Sequence, residues 1–266
     1  MSPPALGTRW RAKPKLTTQR GLLTTISDVD GVATRATAQG ASAVLIACVS
    51  FVVLTALAML EYPGGSLNAP GSHNYVFSEN FLGDLGVTKT AAGFGNTSSC
   101  ILFVIAMTCV GISIVAFAGS WHAIAESRGI PVRTEWLYKW SATGSGLCFV
   151  GVGLTPWNLL PTAHKLFAWA AFALLALFVV ALLDVQRLNR WPRRYIVANL
   201  FFLAVLATYL LILVSGQSTS THNGLVLQVG AQKIMVYASI LNLGFQAYGI
   251  RKALTPSRAA VQMAHR

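Results

Sequence analysis

Acidic residues are scarce in this chain: eight among 266, against twenty lysines and arginines. Charged residues of both signs make up only 11% and hydrophobic ones 54%, where a soluble domain averages about a quarter charged. So little charge cannot cover a water-facing surface of this size. The four cysteines, Cys48, Cys100, Cys109 and Cys148, have no metal-ligand spacing and no disulfide framework. All fall in apolar runs, where a thiol packs as a small hydrophobe. There is no Gly-rich phosphate loop, no nucleophile elbow and no His-Glu-x-x-His. No internal repeat of the kind that builds many transporters is present.

What the chain does have is long apolar runs, near the length of about 20 residues that crosses a hydrocarbon core. Six are read, at about 41–60, 99–118, 141–160, 164–184, 195–214 and 229–250. The expected fold class is therefore all-α: a polytopic membrane protein with six transmembrane helices in a bundle. The third and fourth runs are separated by little more than Pro161, Thr162 and Ala163, which predicts a tight helical hairpin. The third run carries Gly144, Gly146, Gly151 and Gly153 with Ser141 and Ser145, small residues that let helix backbones approach closely. Asn242 and Gln246 in the last run are expected to bond between helices rather than to line a transport path.

The basic residues are distributed unevenly. With six spans, seventeen of the twenty fall on the side that holds both chain ends, among them Arg187, Arg190, Arg193, Arg194, Arg251 and Lys252. Only Lys89, Lys165 and Lys233 fall on the other side. The positive-inside rule then puts both termini in the cytoplasm. Residues 1–40, which hold no secretory signal, are expected to be a basic disordered cytoplasmic tail, and 251–266 a second cytoplasmic tail, with the membrane domain over 41–250. These short juxtamembrane clusters suit anionic lipid head groups, and no nucleic-acid partner is expected. The run 187–194, with Trp191, reads as a helix end anchored at the interface.

The outer loop 61–98 is the longest connection and holds the most informative stretch, Phe77-Ser78-Glu79-Asn80-Phe81-Leu82-Gly83-Asp84-Leu85-Gly86. It contains two of the eight acids. Turn formers precede it. Tyr75, Phe77, Phe81, Leu82 and Leu85 then form an amphipathic pattern suited to capping the bundle or lying on the bilayer. Ser78 followed by acids suits a helix N-terminus. Asn96-Thr97-Ser98 matches a glycosylation acceptor but stands close to the second span, where small polar residues favour helix contact.

Asp84 and His164 are the candidate general acid and base. Ser78, Glu79, Asp84, His164, Gln232 and Lys233 are the candidate ligand-binding set. Lys233 either snorkels to the interface or, if deeper, pairs with Asp84 or Glu79 or with an anionic head group. His73, His164 and His222 share the outer side with Asp84, but no two stand at i,i+3 or i,i+4, and neither a metal site nor a cofactor is expected.

The string Ser78 to Gly86 after the first span, with Pro156 and then His164 at the fourth, resembles the bacterial integral membrane family known as domain of unknown function 998. More distantly, the chain is similar to the Frag/DRAM/Cwh-type six-helix membrane proteins. Ser78, Asp84, Gly86 and His164 match the family pattern by position. Many relatives carry a proline shortly after the position of Gly86, where this chain has Val87-Thr88-Lys89. The resemblance implies a six-span protein of the bacterial plasma membrane. It also implies a link to lipids, since the distant relatives act in lipid and GPI-anchor remodelling or autophagy. The expected function is binding of a lipid or apolar small molecule at a polar outer-face site, with membrane lipids and a membrane-protein partner as the contacts. The alternatives are an intramembrane lipid-modifying enzyme and a small transporter.

Overall fold

The computed structural model describes residues 17–127, 129, 135–215 and 219–254, with side chains from residue 34 onward. Residues 1–16 of the expected N-terminal tail and 255–266 of the C-terminal one lie outside the described residues. So do Arg128 and Arg133 of the connection after the second run. Six long helices follow in order: α1 Thr17–Glu61, α2 Thr97–Ser127, α3 Glu135–Leu154, α4 Pro161–Leu188, α5 Arg193–Val214 and α6 His222–Leu254. A single 3-10 turn, Leu82–Gly86, sits between α1 and α2. Among the described residues there is no strand, only one isolated bridge between Lys89 and Gly95. Five helices, all but α3, are long and apolar enough to cross a membrane. Such runs form helices because each backbone group is then satisfied within its own segment.

The chain divides into a first unit over 1–36 and a second over 37–266. Within the first, the backbone is helical from Thr17. The boundary expected at residue 40 therefore falls inside α1. The third run was expected to reach residue 160, but α3 stops at Leu154. Pro156 explains this, since it disfavours helical geometry in the residue before it. The chain then turns over 155–160 and restarts with Pro161 at the first turn of α4, where its fixed φ suits a helix start. The tight hairpin forms as expected.

The helices of the second unit make a ring in sequence order. Each of α2 to α6 packs on its chain neighbour within that set. Gly40 of α1 abuts α2, where a Cβ would stand 2.7 Å from Ser120 Oγ. Gly244 of α6 lies over Cys48 of α1, which closes the ring. A close backbone approach joins α2 to α3. A Cβ at Gly111 would be 2.4 Å from the Gly146 carbonyl oxygen, and one at Gly146 would be 2.5 Å from that of Gly111. Large apolar side chains such as Ile46, Leu60, Leu211 and Leu241 point away from the ring and are more than half exposed. Scattered over all six helices, this apolar cover suits lipid better than water.

At the end of the ring away from the 3-10 turn, α4, α5 and α6 are joined by buried amides. Gln186 Nε2 donates to Gln246 Oε1 at 2.8 Å, Asn199 Nδ2 to Gln186 Oε1 at 3.0 Å and Asn242 Nδ2 to Asn199 Oδ1 at 2.8 Å. Gln246 Nε2 donates to the Tyr195 carbonyl at 2.8 Å. The expectation for Asn242 and Gln246 thus holds: their amides bond between helices, as buried polar groups must in an apolar surround. Trp191 differs from expectation. It is buried at 6% exposure, with its ring 4.6 Å from that of Trp121 and 6.0 Å from that of Tyr195. Its neighbours are aromatic core residues, which outbid an interfacial position.

Candidate functional site

The segment 80–86 closes one end of the ring as a lid. Leu82 and Leu85 are buried and point into the bundle. Gly86 permits this close seating, because a Cβ there would stand 2.5 Å from the Phe103 ring. The lid backbone is held by α2: Ser99 Oγ donates to the Leu85 carbonyl at 3.0 Å, and Asn96 Nδ2 to those of Leu85 at 3.1 Å and Val87 at 2.9 Å. Asn158 after α3 grips Thr88 twice, accepting from its N–H at 3.1 Å and donating to its Oγ1 at 3.0 Å. Asn96 is thus a buried fastening, not an exposed acceptor.

Asp84 organises the lid from within. Its Oδ2 accepts from the Phe81 N–H at 2.9 Å and Asn80 Nδ2 at 3.1 Å, and its Oδ1 from Trp157 Nε1 at 3.0 Å. Asp84 is 5% exposed. Burial raises its pKa above the ordinary carboxylate range, while the three donors and the Lys233 ammonium pull the other way. Asn80 is equally central. It also bonds the Val76 N–H at 2.9 Å and the Gly65 carbonyl at 3.0 Å. Burial beside Asp84 raises the Tyr62 and Tyr75 phenols well above their usual value. They act here as hydrogen-bond donors, Tyr62 to the Gly65 carbonyl and Tyr75 to those of Asn80 and Phe81.

Four of the candidate ligand-binding residues meet around 80–84. Gln232 Oε1 accepts from the Leu82 N–H at 2.9 Å. Lys233 is buried at 3% exposure, so it does not snorkel. Its ammonium donates to the Asn80 carbonyl and stands 5.3 Å from the Tyr75 ring centroid and 4.8 Å from that of Phe77. Among the described residues it makes no ion pair with Asp84 or Glu79. A carbonyl and two ring faces take that place, a pairing that keeps a desolvated ammonium tolerable. His164 lies against Gly83, where a Cβ would be 3.3 Å from its Nε2. The other ring nitrogen, Nδ1, sits 2.7 Å from the Thr155 carbonyl oxygen.

Glu79 stands at the rim, accepting from Ser66 Oγ at 2.6 Å with His222 Nδ1 at 3.6 Å. Ser78 is exposed and lies in a turn over 77–80. It starts no helix, because the 3-10 turn begins at Leu82 after Phe81. Asp84 and His164 do not bond to each other. Each has its own partners and lines a different cavity.

Two cavities meet the lid. The polar one holds about 400 Å³ and is lined by Asp84, Asn80, Trp157, Asn158, Lys89 and Thr90 among others. The other lies inside the ring. All six helices and the lid contribute to it. Its lid end carries Leu82, Gly83, His164 and Gln232, and its far end Asn199, Ser239 and Asn242. Between them stand Phe51, Phe103, Phe117, Phe149, Phe172 and Phe202, with methionine and aliphatic side chains. No Asp, Glu, Lys or Arg lines it. Sequence reasoning missed this cavity, because phenylalanines on five different helices give no local signal. It also gave no role to Asn80, Trp157 and Gly83, which single-residue chemistry does not mark out, and it read Asn96 only as a possible glycosylation acceptor or helix contact. No protein family, no curated protein and no solved structure matches this chain.

Proposed function

We propose that this chain is a six-span membrane protein that binds a lipid or other apolar small molecule inside its helical ring. Both termini lie in the cytoplasm and the lid faces outward. α3 is the sixth span. It falls short on hydropathy because Glu135, Lys139 and its run of Gly and Ser dilute its apolar content, but it packs on both α2 and α4 and exposes Leu147 and Leu154. The observation that carries the reading is the central cavity, apolar along its length and polar only at its two ends, the kind of lining that small-molecule sites have. The polar residues singled out in the sequence support the site indirectly. Gln232, Lys233 and Asp84 hold the lid that roofs it, and His164 stands in its wall.

The experiment fills the cavity. Val236 of α6 lines it, and Val236→Phe adds bulk there without touching the lid. Wild-type protein purified in mild detergent carries a co-purified lipid or apolar molecule, seen by extraction and mass spectrometry. Val236→Phe loses most of it, and Ala168→Phe on α4, which fills from the opposite wall, does the same. Equal retention by correctly folded variants counts against the site. An enzyme reading is less well supported, since Asp84 has three internal donors and no bond to His164.

A further inference from the structure

The polar atoms of the cavity wall are unequal in what they leave for a ligand. Gln232 gives its carbonyl oxygen to the Leu82 N–H, and its NH2 can only donate, so it offers a hydroxyl hydrogen no acceptor. Asn199 and Asn242 bond to each other and to the amides behind them. Ser239 donates to the Val236 carbonyl. His164 differs. A carbonyl oxygen can only accept, so the Nδ1 that lies 2.7 Å from the Thr155 oxygen carries the hydrogen. In the neutral ring that leaves Nε2 with a lone pair and no hydrogen. This nitrogen sits at the cavity wall beside Gly83, which has no side chain to cover it.

Charge points the same way. The nearest ammonium, Lys233, is turned into the lid, onto the Asn80 carbonyl and two rings, and does not line the cavity. With no cation in the wall, an ionised head group would enter unpaired, at heavy desolvation cost. A donor on an uncharged head would meet an acceptor already oriented for it. Gln232 and Asn242 both line the space and stand about 15 Å apart along α6 at the helical rise, so the cavity is long enough for an extended chain.

Resting on the ligand-binding reading above, we infer that the cavity selects a neutral amphipathic alcohol: an apolar chain whose hydroxyl donates to His164 Nε2 at the lid end. Ionised fatty acids and anionic head groups are rejected.

The test uses the full chain in detergent and three probes of equal chain length: dodecanol, dodecanoate and dodecane. Each competes with a fluorescent apolar reporter. Dodecanol is expected to bind about tenfold or more tighter than dodecanoate at neutral pH, the ratio set by burying an unpaired charge. His164→Leu lowers dodecanol affinity about fivefold to tenfold, one neutral hydrogen bond, and leaves dodecane unchanged. Gly83→Ala puts a methyl 3.3 Å from Nε2 and gives the same selective loss without altering the histidine, so the result does not hang on the folding of one variant. Dodecanoate binding as well as dodecanol, or both variants leaving dodecanol affinity intact, overturns the inference while the cavity stands. Binding of all three probes undiminished by Val236→Phe overturns the cavity reading itself, and the inference with it.

Discussion

Asp84 is the side chain that ties the lid together. As one of eight acids, at the edge of an apolar run, it invites a catalytic role. In the folded chain its two oxygens are occupied by Asn80, Phe81 and Trp157, and its work is to fold the lid. That role carries a pH signature. Burial raises its pKa in the folded state, so between about pH 4, the unfolded value, and the raised value the folded protein holds a proton that the unfolded chain has released. Stability therefore falls as pH rises through that window. Thermal unfolding in detergent across this range should show the slope, and Asp84→Asn should flatten it. Lys233→Met, which removes a charge that favours the carboxylate, should move the slope to higher pH. An Asp84→Asn slope equal to wild type would mean the carboxyl is not buried in this way.

At the scale of elements, the glycines of α3 were legible as close-packing positions, and the structure separates them by what they meet. Gly146 faces the Gly111 backbone, which cannot move aside, while Gly144 faces the tip of Leu174 at 2.9 Å, which can. Gly146→Ala should then cost about 1–3 kcal/mol, as overpacking does, and Gly144→Ala distinctly less, read as loss of thermal stability. Equal losses would contradict the α2–α3 crossing. Helix identity was readable because each run is long and apolar. Helix ends were readable only where proline acts: the start at Pro161 follows from the sequence, while the stop at Leu154 needed the weight of Pro156 over an apolar run that continues past it. The amphipathic pattern of 75–85 indicated a cap, and Leu82 and Leu85 do turn inward. The grip of Asn96, Asn158 and Gln232 on it joins residues 11 to 150 positions apart, and no local pattern encodes such pairings.

At the scale of the whole molecule, the sequence speaks of composition and sidedness, and the fold adds an interior. The proposed topology, drawn from the asymmetry of lysine and arginine, has His73 outside and Arg187 inside. In a background freed of native cysteines, His73→Cys should react with a membrane-impermeant maleimide in intact cells, and Arg187→Cys only after lysis; the reverse pattern would invert the topology. The ring of six helices around an uncharged cavity could not be read from any one run, because each helix contributes only a few residues to it. The central claim is that this space holds an elongated apolar molecule beneath the lid. The most direct test is an experimental density map of the protein in lipid nanodiscs. A continuous feature running from Gly83 and His164 to Asn242 inside the ring is the predicted result. A cavity closed by inward phenylalanines, or one that is open and free of ligand density, would contradict it.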